Sequence, residues 1–239
     1  MDLARKIVGI ITGVCLFVAL LGVGFAAVTY LPVVSGILTG FNCTDSVSPY
    51  DKTQLVEISQ ATREYTAGSH DSDTLMTVIQ QKNKEISSGY ENMSLEELKT
   101  APEQYTLTTS QLAHLDECNT IFNIARILII VVTVLMLAGT FFVGITGSSY
   151  NVGLVYMVAS VAALLTIVAV GVWALSNWDG FFQTFHSVLF ANGNWTFSAD
   201  SLLICMYPEG FWISMGIAWG ITTILCSILF FLVGRWMHR

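Results

Sequence analysis

The sequence predicts a membrane protein with four transmembrane helices and a mixed α/β extracytoplasmic region built from its first and second outer loops. Three observations predict this class. Of the 239 residues, 54% are hydrophobic and 11% are charged, and the mean hydropathy is +0.64. Four long stretches carry no charged residue, and most polar residues fall into two of the segments between them. A soluble domain of this length has too little interior to bury so much apolar surface.

Each charge-free stretch is long enough to cross a bilayer as a helix. A hydrocarbon core of about 30 Å needs about twenty apolar residues in α-helical geometry. The first stretch, "IVGIITGVCLFVALLGVGFAAVTYLPVV", is longer than the core of a cleavable signal peptide, so we expect it to be retained. The predicted transmembrane helices are residues 7–34, 126–146, 151–175 and 211–234.

Basic residues near the two ends of the chain predict its orientation. Arg5 and Lys6 precede the first span, and Arg235 and Arg239 follow the last. The connection "TGSSYN" between the second and third spans is uncharged, so the positive-inside rule places both termini in the cytoplasm. We therefore expect a multi-pass protein of the cell membrane in which residues 39–125 and 176–210 are extracytoplasmic and hold the active site.

The first outer segment combines patterns of helix and strand. The stretch "QLVEISQATREYTAG" has apolar residues at helical spacing, namely Leu55, Ile58, Ala61 and Tyr65. The stretch "TLMTVIQ" is typical of a strand, and Ser94 with Glu97 forms a helix-capping signature. Residues 110–122 are rich in helix formers and are predicted to extend the second span outwards, which places His114 on a rigid element near the lipid surface.

Two histidines, His114 and His186, lie in separate outer segments close to predicted membrane boundaries. A helical bundle can bring them together, and an imidazole titrates near neutral pH, which suits it to proton transfer. The alternative is an anchoring role, with each ring hydrogen-bonded to backbone or headgroup. Two histidines without H-x-x-x-H spacing make a poor zinc ligand set, so we expect neither a metal nor a cofactor.

The other histidines and the cysteines predict no further site. His70, in "GSHDSD", and His238, in the basic tail, are expected to be solvated. Three cysteines lie in or beside the outer segments without regular spacing, so the sequence leaves a disulfide open. They are Cys43, Cys118 and Cys205.

Two stretches resemble the signature regions of a known family. One is "SQLAHLDECNTIF", in which His114 is followed three positions later by the carboxylate of Glu117. The other is "FHSVLFANGNWTFSADSLLICMYPEGFW", with an aromatic residue before His186, then Asn-x-x-Trp-x-Phe-like spacing, Asp-x-Leu-Leu and Pro-Glu. Together they resemble the Lit family of bacterial integral membrane lipoprotein intramolecular transacylases. Glu117 and Cys118 stand where the family pattern has Asp-Val.

The resemblance implies an acyl transfer within one substrate molecule. Lit enzymes move the sn-2 acyl chain of a lipoprotein's S-diacylglyceryl group onto the α-amine of the same N-terminal cysteine, which gives the lyso-form lipoprotein. Because ester and amine belong to one molecule, orientation supplies part of the catalysis. The reaction needs a base for the ammonium, an acid for the glycerol oxygen and donors for the oxyanion. His114 and His186 at the outer leaflet suit the first two roles.

Four further residues are predicted to support the site. Glu117 lies one helical step from His114, and Arg126, at the outer end of a span, is placed to bind the oxyanion or a headgroup, although snorkelling to the interface is the common alternative. Trp195 is a candidate wall of an acyl groove, with a membrane-belt position as the alternative. Asp200 is a candidate for positioning the second outer segment.

The expected partners are a diacylated lipoprotein or lipopeptide and membrane phospholipid, with no nucleic acid. The alternative function is a non-catalytic four-span scaffold or accessory protein that binds a partner through its outer loops. The Cys-Cys-Gly motif of tetraspanins and the paired-cysteine pattern of claudins are missing from the sequence. A transporter is disfavoured because the spans lack buried ionisable residues.

Overall fold

The computed structural model describes residues 2–147, 149–190, 193 and 195–239. Within these residues the chain forms ten α-helices and no β-strand. They are α1 (Asp2–Tyr30), α2 (Pro32–Asn42), α3 (Lys52–Ala67), α4 (Ser72–Glu85), α5 (Leu95–Leu98), α6 (Thr109–Thr146), α7 (Ser149–Ser176), α8 (Trp178–Leu189), α9 (Leu202–Met206) and α10 (Glu209–Met237).

The predicted mixed α/β outer region is wrong, because the strand-like "TLMTVIQ" lies inside helix α4. Asp71 caps the helix by accepting hydrogen bonds from two backbone N–H groups of its first turn. Leu75, Met76 and Ile79 are each at most 1% exposed. Positions i, i+1 and i+4 share a face of a helix but not of a strand, so the cap and this spacing together favour the helix.

Four of the described helices are long and apolar enough to cross a membrane, which confirms the four-span class. They are Leu3–Tyr30, Thr109–Thr146, Asn151–Ser176 and Glu209–Met237. The first apolar run does not continue as one helix to Val34. Pro32 has no N–H to donate and disfavours a helical conformation at Leu31, whose backbone is extended (φ −90°, ψ 111°), so α1 ends at Tyr30 and α2 starts anew.

The chain divides into two compact units. The span unit comprises Met1–Ala27, Ile124–Phe181 and Ile217–Arg239, and the loop unit comprises Val28–Asn123 and Phe182–Gly216. The loop unit thus contains α2 to α5, the first part of α6, most of α8, α9 and the start of α10.

The span unit is held by close helix packing and by small residues. Leu16, Ala163 and Ala159 lie in its buried cluster. Trp219 donates its indole N–H to the carbonyl of Leu21 at 2.9 Å. A β-carbon at Gly24 would lie 2.7 Å from the Trp219 carbonyl oxygen, so only glycine permits this approach of α1 to α10.

The loop unit has a core like that of a soluble domain. Its largest fully buried side chains come from α3, α4, α5, α9 and the connecting segments, and include Tyr50, Leu55, Ile58, Leu75, Met76, Ile79, Leu98, Leu107, Leu202 and Met206. The Tyr105 carbonyl accepts from the Tyr50 hydroxyl at 3.0 Å and from the Asn83 amide at 2.9 Å. These bonds join three chain segments around the core.

Helix α3 packs against the first part of α6. The Tyr65 hydroxyl donates to the Asp116 carboxylate, and the Asn119 amide donates to the Thr66 carbonyl at 3.0 Å. As predicted, the helix formers from residue 110 run directly into the second span. The 38 residues of α6 rise about 57 Å, nearly twice a bilayer core of about 30 Å. Residues 109–125 precede the apolar run at Ile127 and stay a predicted outward extension of the span.

Candidate active site

The loop unit contains a partly open cavity of about 110 Å³. Its walls are mostly aromatic or aliphatic, and they come from the end of α1, from α2, α3, α6, α8 and α9, from the segment between α8 and α9, and from the start of α10. The polar and aromatic members include Arg63, His114, Cys118, Phe182, His186, Trp195, Phe197, Tyr207, Phe211 and Trp212. The cavity therefore combines few polar groups with an apolar lining, as small-molecule and lipid sites do.

The structure brings His114 and His186 to this one cavity. Their ring centroids are 6.4 Å apart, with an angle of 26° between the ring planes. His114 comes from α6 and His186 from α8, and they are 9% and 5% exposed. Two imidazoles from separate segments are thus desolvated side by side.

The backbone of α8 fixes the tautomer of His186. Its Nδ1 lies 2.9 Å from the carbonyl oxygen of Phe182, one turn earlier. A carbonyl oxygen only accepts, so Nδ1 carries the proton, and in the neutral ring Nε2 keeps its lone pair. The Phe182 and Trp195 rings pack on His186 at centroid distances of 4.0 and 4.7 Å and hold its orientation.

His114 lies in a more apolar setting. The rings of Phe190 and Phe197 lie 4.6 and 5.8 Å from its centroid. Its Nε2 is 3.7 Å from the sulfur of Cys118. Its Nδ1 is buried and has no hydrogen-bond partner among the described residues. Buried polar atoms are normally satisfied, so Nδ1 is available to a bound ligand.

Burial keeps both imidazoles neutral. Desolvation lowers the pKa of His114, the nearby His186 lowers it further, and the Glu117 carboxylate opposes the shift. Desolvation also lowers the pKa of His186, against the smaller effect of the bond to the Phe182 carbonyl. A free base near neutral pH is therefore the resting state of the pair.

Cys118 is the only thiol on the cavity wall within the described part of the chain. Burial raises its pKa, and the Glu117 carboxylate raises it further. The nucleophilic form of cysteine is the thiolate, so this thiol is poorly suited to forming an acyl-enzyme. All five cysteines are free in the structure.

The other predicted site residues occupy different places. Trp195 lines the cavity. Glu117 lies beside His114 and acts on its pKa. Asp200 accepts a hydrogen bond from the Gln104 side chain at 2.8 Å, which joins the two loop segments. Arg126 belongs to the span unit.

Arg63 is a cavity residue that sequence reasoning missed. Its side chain is 14% exposed, and its Nε is buried without a hydrogen-bond partner in the described structure. The sequence shows a weak signal for this face, since Ser59, Thr62 and Thr66 form a polar stripe at helical spacing around it. All three are buried, at 1%, 1% and 7% exposure.

Acidic, histidine and cysteine side chains form no group of three or more that could hold a metal ion, as far as the described residues extend. The site thus contains two neutral histidines, one guanidinium, one protonated thiol and several hydroxyl groups, between aromatic and aliphatic walls. Such an arrangement can move protons and stabilise a developing negative charge in an apolar setting.

Within the described residues, the chain combines four helices long and apolar enough to span a membrane with a cavity that two buried histidines line. A sequence model of one family, the lipoprotein intramolecular transacylase Lit, matches residues 10–212. The chain belongs to the Lit family, and it is a multi-pass membrane protein. A comparison with curated proteins finds no significant match.

Solved structures agree on the fold. The chain is similar to the membrane integral lipoprotein intramolecular transacylase Lit from Bacillus cereus, with a TM-score of 0.76, 15% identity, and coverage of 99% of this chain and 97% of that chain. A variant of that protein with a histidine-to-arginine substitution gives a TM-score of 0.71 at 14% identity, with coverage of 99% and 92%. A histidine-to-alanine variant gives 0.58 at 14% identity, with coverage of 99% and 94%.

Proposed function

We propose that this protein transfers the sn-2 acyl chain of an S-diacylglyceryl lipoprotein to the α-amine of the same N-terminal cysteine, giving the lyso-form lipoprotein. Family membership supports the reaction class. The observation that carries the proposal is the pair of buried histidines, 6.4 Å apart, on one aromatic-walled cavity. The walls suit acyl chains, and the imidazoles suit the proton transfers of aminolysis.

His186 is the proton carrier in this reaction. The neutral amine attacks the ester carbonyl, and its N–H proton passes to Nε2 of His186, which the Nδ1 bond to Phe182 leaves unprotonated. The imidazolium then returns the proton to the glycerol oxygen as the ester C–O bond breaks. One N–C bond forms, one C–O bond breaks, and no co-reactant is required.

His114 acts as a neutral partner and does not ionise while His186 is charged. The proximity of His186 lowers the pKa of His114, so the two rings do not readily carry a proton at the same time. Nδ1 of His114 is buried without a partner in the described residues and is available to hydrogen-bond the ester or the amine. Its role is to orient the substrate against His186.

The supporting residues follow from their contacts. Trp195 holds the His186 ring and walls the acyl site, and Glu117 adjusts the protonation of His114. Asp200, through Gln104, holds the second loop segment. Arg126, at the start of the apolar part of α6, anchors that helix at the headgroup level. Basic residues at both ends of the chain support cytoplasmic termini and a cavity on the outer side, next to membrane phospholipid.

The test incubates the purified protein with a synthetic diacylglyceryl lipopeptide. The detergent or membrane preparation must contain no other N-acylating activity. Mass mapping of the peptide N-terminus should show one acyl chain moved from oxygen to nitrogen. His186→Asn should lower the rate by about 10²- to 10⁴-fold, the usual loss when general acid–base catalysis is removed.

His70→Asn is the matched control. His70 does not line the cavity, and its φ of 58° is a left-handed conformation that asparagine tolerates. Wild-type protein that folds and binds the lipopeptide but never moves the acyl chain would contradict the proposal and favour the non-catalytic scaffold.

A further inference from the structure

Arg63 has an unusual position for a cation. It lies on α3 with its side chain 14% exposed, and it lines the cavity that holds both histidines. Most of that lining is aliphatic or aromatic. A charge kept in such a setting is costly unless it is paired or used by a ligand.

The guanidinium is only partly satisfied by the protein. Its Nη2 donates to the Glu64 carboxylate at 2.8 Å. Glu64 is itself 47% exposed, and its other oxygen accepts from the Ser69 backbone N–H at 3.0 Å. The Nε–H of Arg63 is buried and has no partner among the residues that the structure describes. Since arginine carries five N–H donors, this side chain retains donors for an acceptor that enters the cavity.

The acceptor follows from the chemistry of the substrate, and this step rests on the proposed function. A diacylglyceryl lipopeptide brings no acid group to the cavity, but its ester carbonyl oxygen gains negative charge when the amine attacks. We propose that Arg63 donates to that oxygen and stabilises the tetrahedral oxyanion. The carbonyl electron pair moves onto oxygen as the N–C bond forms, and it returns when the C–O bond to glycerol breaks.

With this role for Arg63, proton transfer and charge stabilisation are carried out by different side chains of the site. Both histidines are neutral at rest and His186 exchanges a proton with the substrate, whereas the guanidinium of Arg63 supplies a fixed positive charge. Apolar walls strengthen the attraction between the guanidinium and the oxyanion, because little water screens it. The ester in its ground state carries only a partial charge, so Arg63 should favour the transition state over the bound substrate.

The experiment compares two unreactive lipopeptide analogues on the full-length protein. In one, an ether replaces the sn-2 ester, and in the other a phosphonate supplies an anionic tetrahedral centre. Arg63→Gln should weaken binding of the phosphonate by about 10²- to 10³-fold, the usual effect of losing one oxyanion donor. Binding of the ether should change by less than about threefold, and kcat should fall with KM little changed.

Two further variants distinguish stabilisation of the oxyanion from a general effect of the substitution on folding. Arg63→Lys keeps the charge and should recover part of the phosphonate affinity. Lys82→Gln is the matched control, because Lys82 is a buried cation of the same unit, with its side chain 9% exposed and paired with Glu57 and Glu85. It does not line the cavity. Its loss should lower stability but leave the ratio of the two analogue affinities unchanged.

Equal weakening of both analogues in Arg63→Gln would overturn the proposal and indicate that Arg63 shapes the cavity. Unchanged phosphonate affinity would also overturn it. Loss of binding of phosphatidylglycerol vesicles, with the analogue ratio unchanged, would assign Arg63 to a headgroup instead. The proposed function is tested separately with the natural diester. If wild-type protein gives no lyso-form product from it, the proposed function is wrong, whatever the result for Arg63.

Discussion

The loop unit and the span unit place apolar side chains in opposite ways. In the loop unit, Leu55 and Ile58 are 0% exposed. In the span unit, Val158 and Leu225 are 61% and 62% exposed. The loop unit is therefore stabilised by hiding apolar surface from water within the chain. The span unit relies on lipid to cover its outward-facing surface.

The two units also differ in the hydrogen bonds that their polar side chains make. Several hydroxyls of the span unit bond the carbonyl four residues earlier on their own helix, as Thr12 does with Val8 and Thr222 with Ala218. Thr62 of the loop unit makes the same kind of bond to Ile58, but this unit also joins distant segments through pairs of polar side chains, as the Gln104–Asp200 bond does. A catalytic site needs side chains brought together from separate segments, and the loop unit supplies them.

The largest effect expected is at the histidine pair. His186→Asn removes the proton carrier and should reduce acyl transfer by about 10²- to 10⁴-fold. His114→Asn removes the imidazole that orients the substrate and should also lower the rate. The double variant should lose less than the product of the two factors, because groups that act as a unit are non-additive. Rates are measured by mass mapping of the lipopeptide, and normal yield of each variant is the control. A multiplicative loss would show that the two rings act independently.

The second effect concerns packing. Ile58→Ala removes a fully buried side chain from the loop-unit core and should cost about 2–5 kcal/mol of unfolding free energy. Leu225→Ala, at a position 62% exposed in the span unit, leaves no internal cavity and should cost much less. Melting temperatures of the two variants in one detergent measure the difference. Equal destabilisation would break the distinction between the two units.

The spans and much of the loop unit could be predicted from the sequence. An uncharged apolar stretch of about twenty residues identifies a membrane helix, because that is the length a helix needs to cross the hydrocarbon core. Helix α3 and the cap at Ser94 were predicted correctly, since Leu55, Ile58 and Tyr65 have helical spacing and Glu97 completes the capping box. Hydrophobic period and capping are local signals, so a single sequence carries them.

The features of the fold and the site that the sequence does not predict depend on tertiary contacts. The apolar run in α4 is short and fits a helix or a strand equally well, so the pattern predicts a strand where Asp71 in fact caps a helix. Arg63 belongs to no motif, because it is buried on a cavity whose lining comes from several separate segments of the chain. The tautomer of His186 likewise depends on the helical position of the Phe182 carbonyl, which composition does not reveal.

The third effect tests what covers the exposed apolar surface. Leu225→Lys places a charge near the centre of α10 and should oppose membrane insertion by about 2.5–3.5 kcal/mol. Val47→Lys, at a position 53% exposed in the loop unit, should be nearly neutral because water solvates the ammonium. The fraction of each variant recovered in the membrane measures the effect. Equal recovery would show that Leu225 does not face lipid.

The smallest effect is a pH dependence of stability that belongs to the loop unit alone. Burial lowers the pKa of His114 and of His186 below the ordinary value, which is about 6.5 in an unfolded chain. Between the lowered values and 6.5 the unfolded chain binds more protons than the native one, so the free energy of unfolding rises with pH in that window and levels off above it.

Acidification from pH 7 to pH 5 should therefore destabilise wild-type protein more than the double variant with both histidines changed to asparagine. Thermal unfolding at a series of pH values measures this, with His70→Asn expected to follow the wild type. If the double variant loses as much stability on acidification as the wild type does, the buried histidines are not neutral in the native state and the assignment of His186 as the base is wrong.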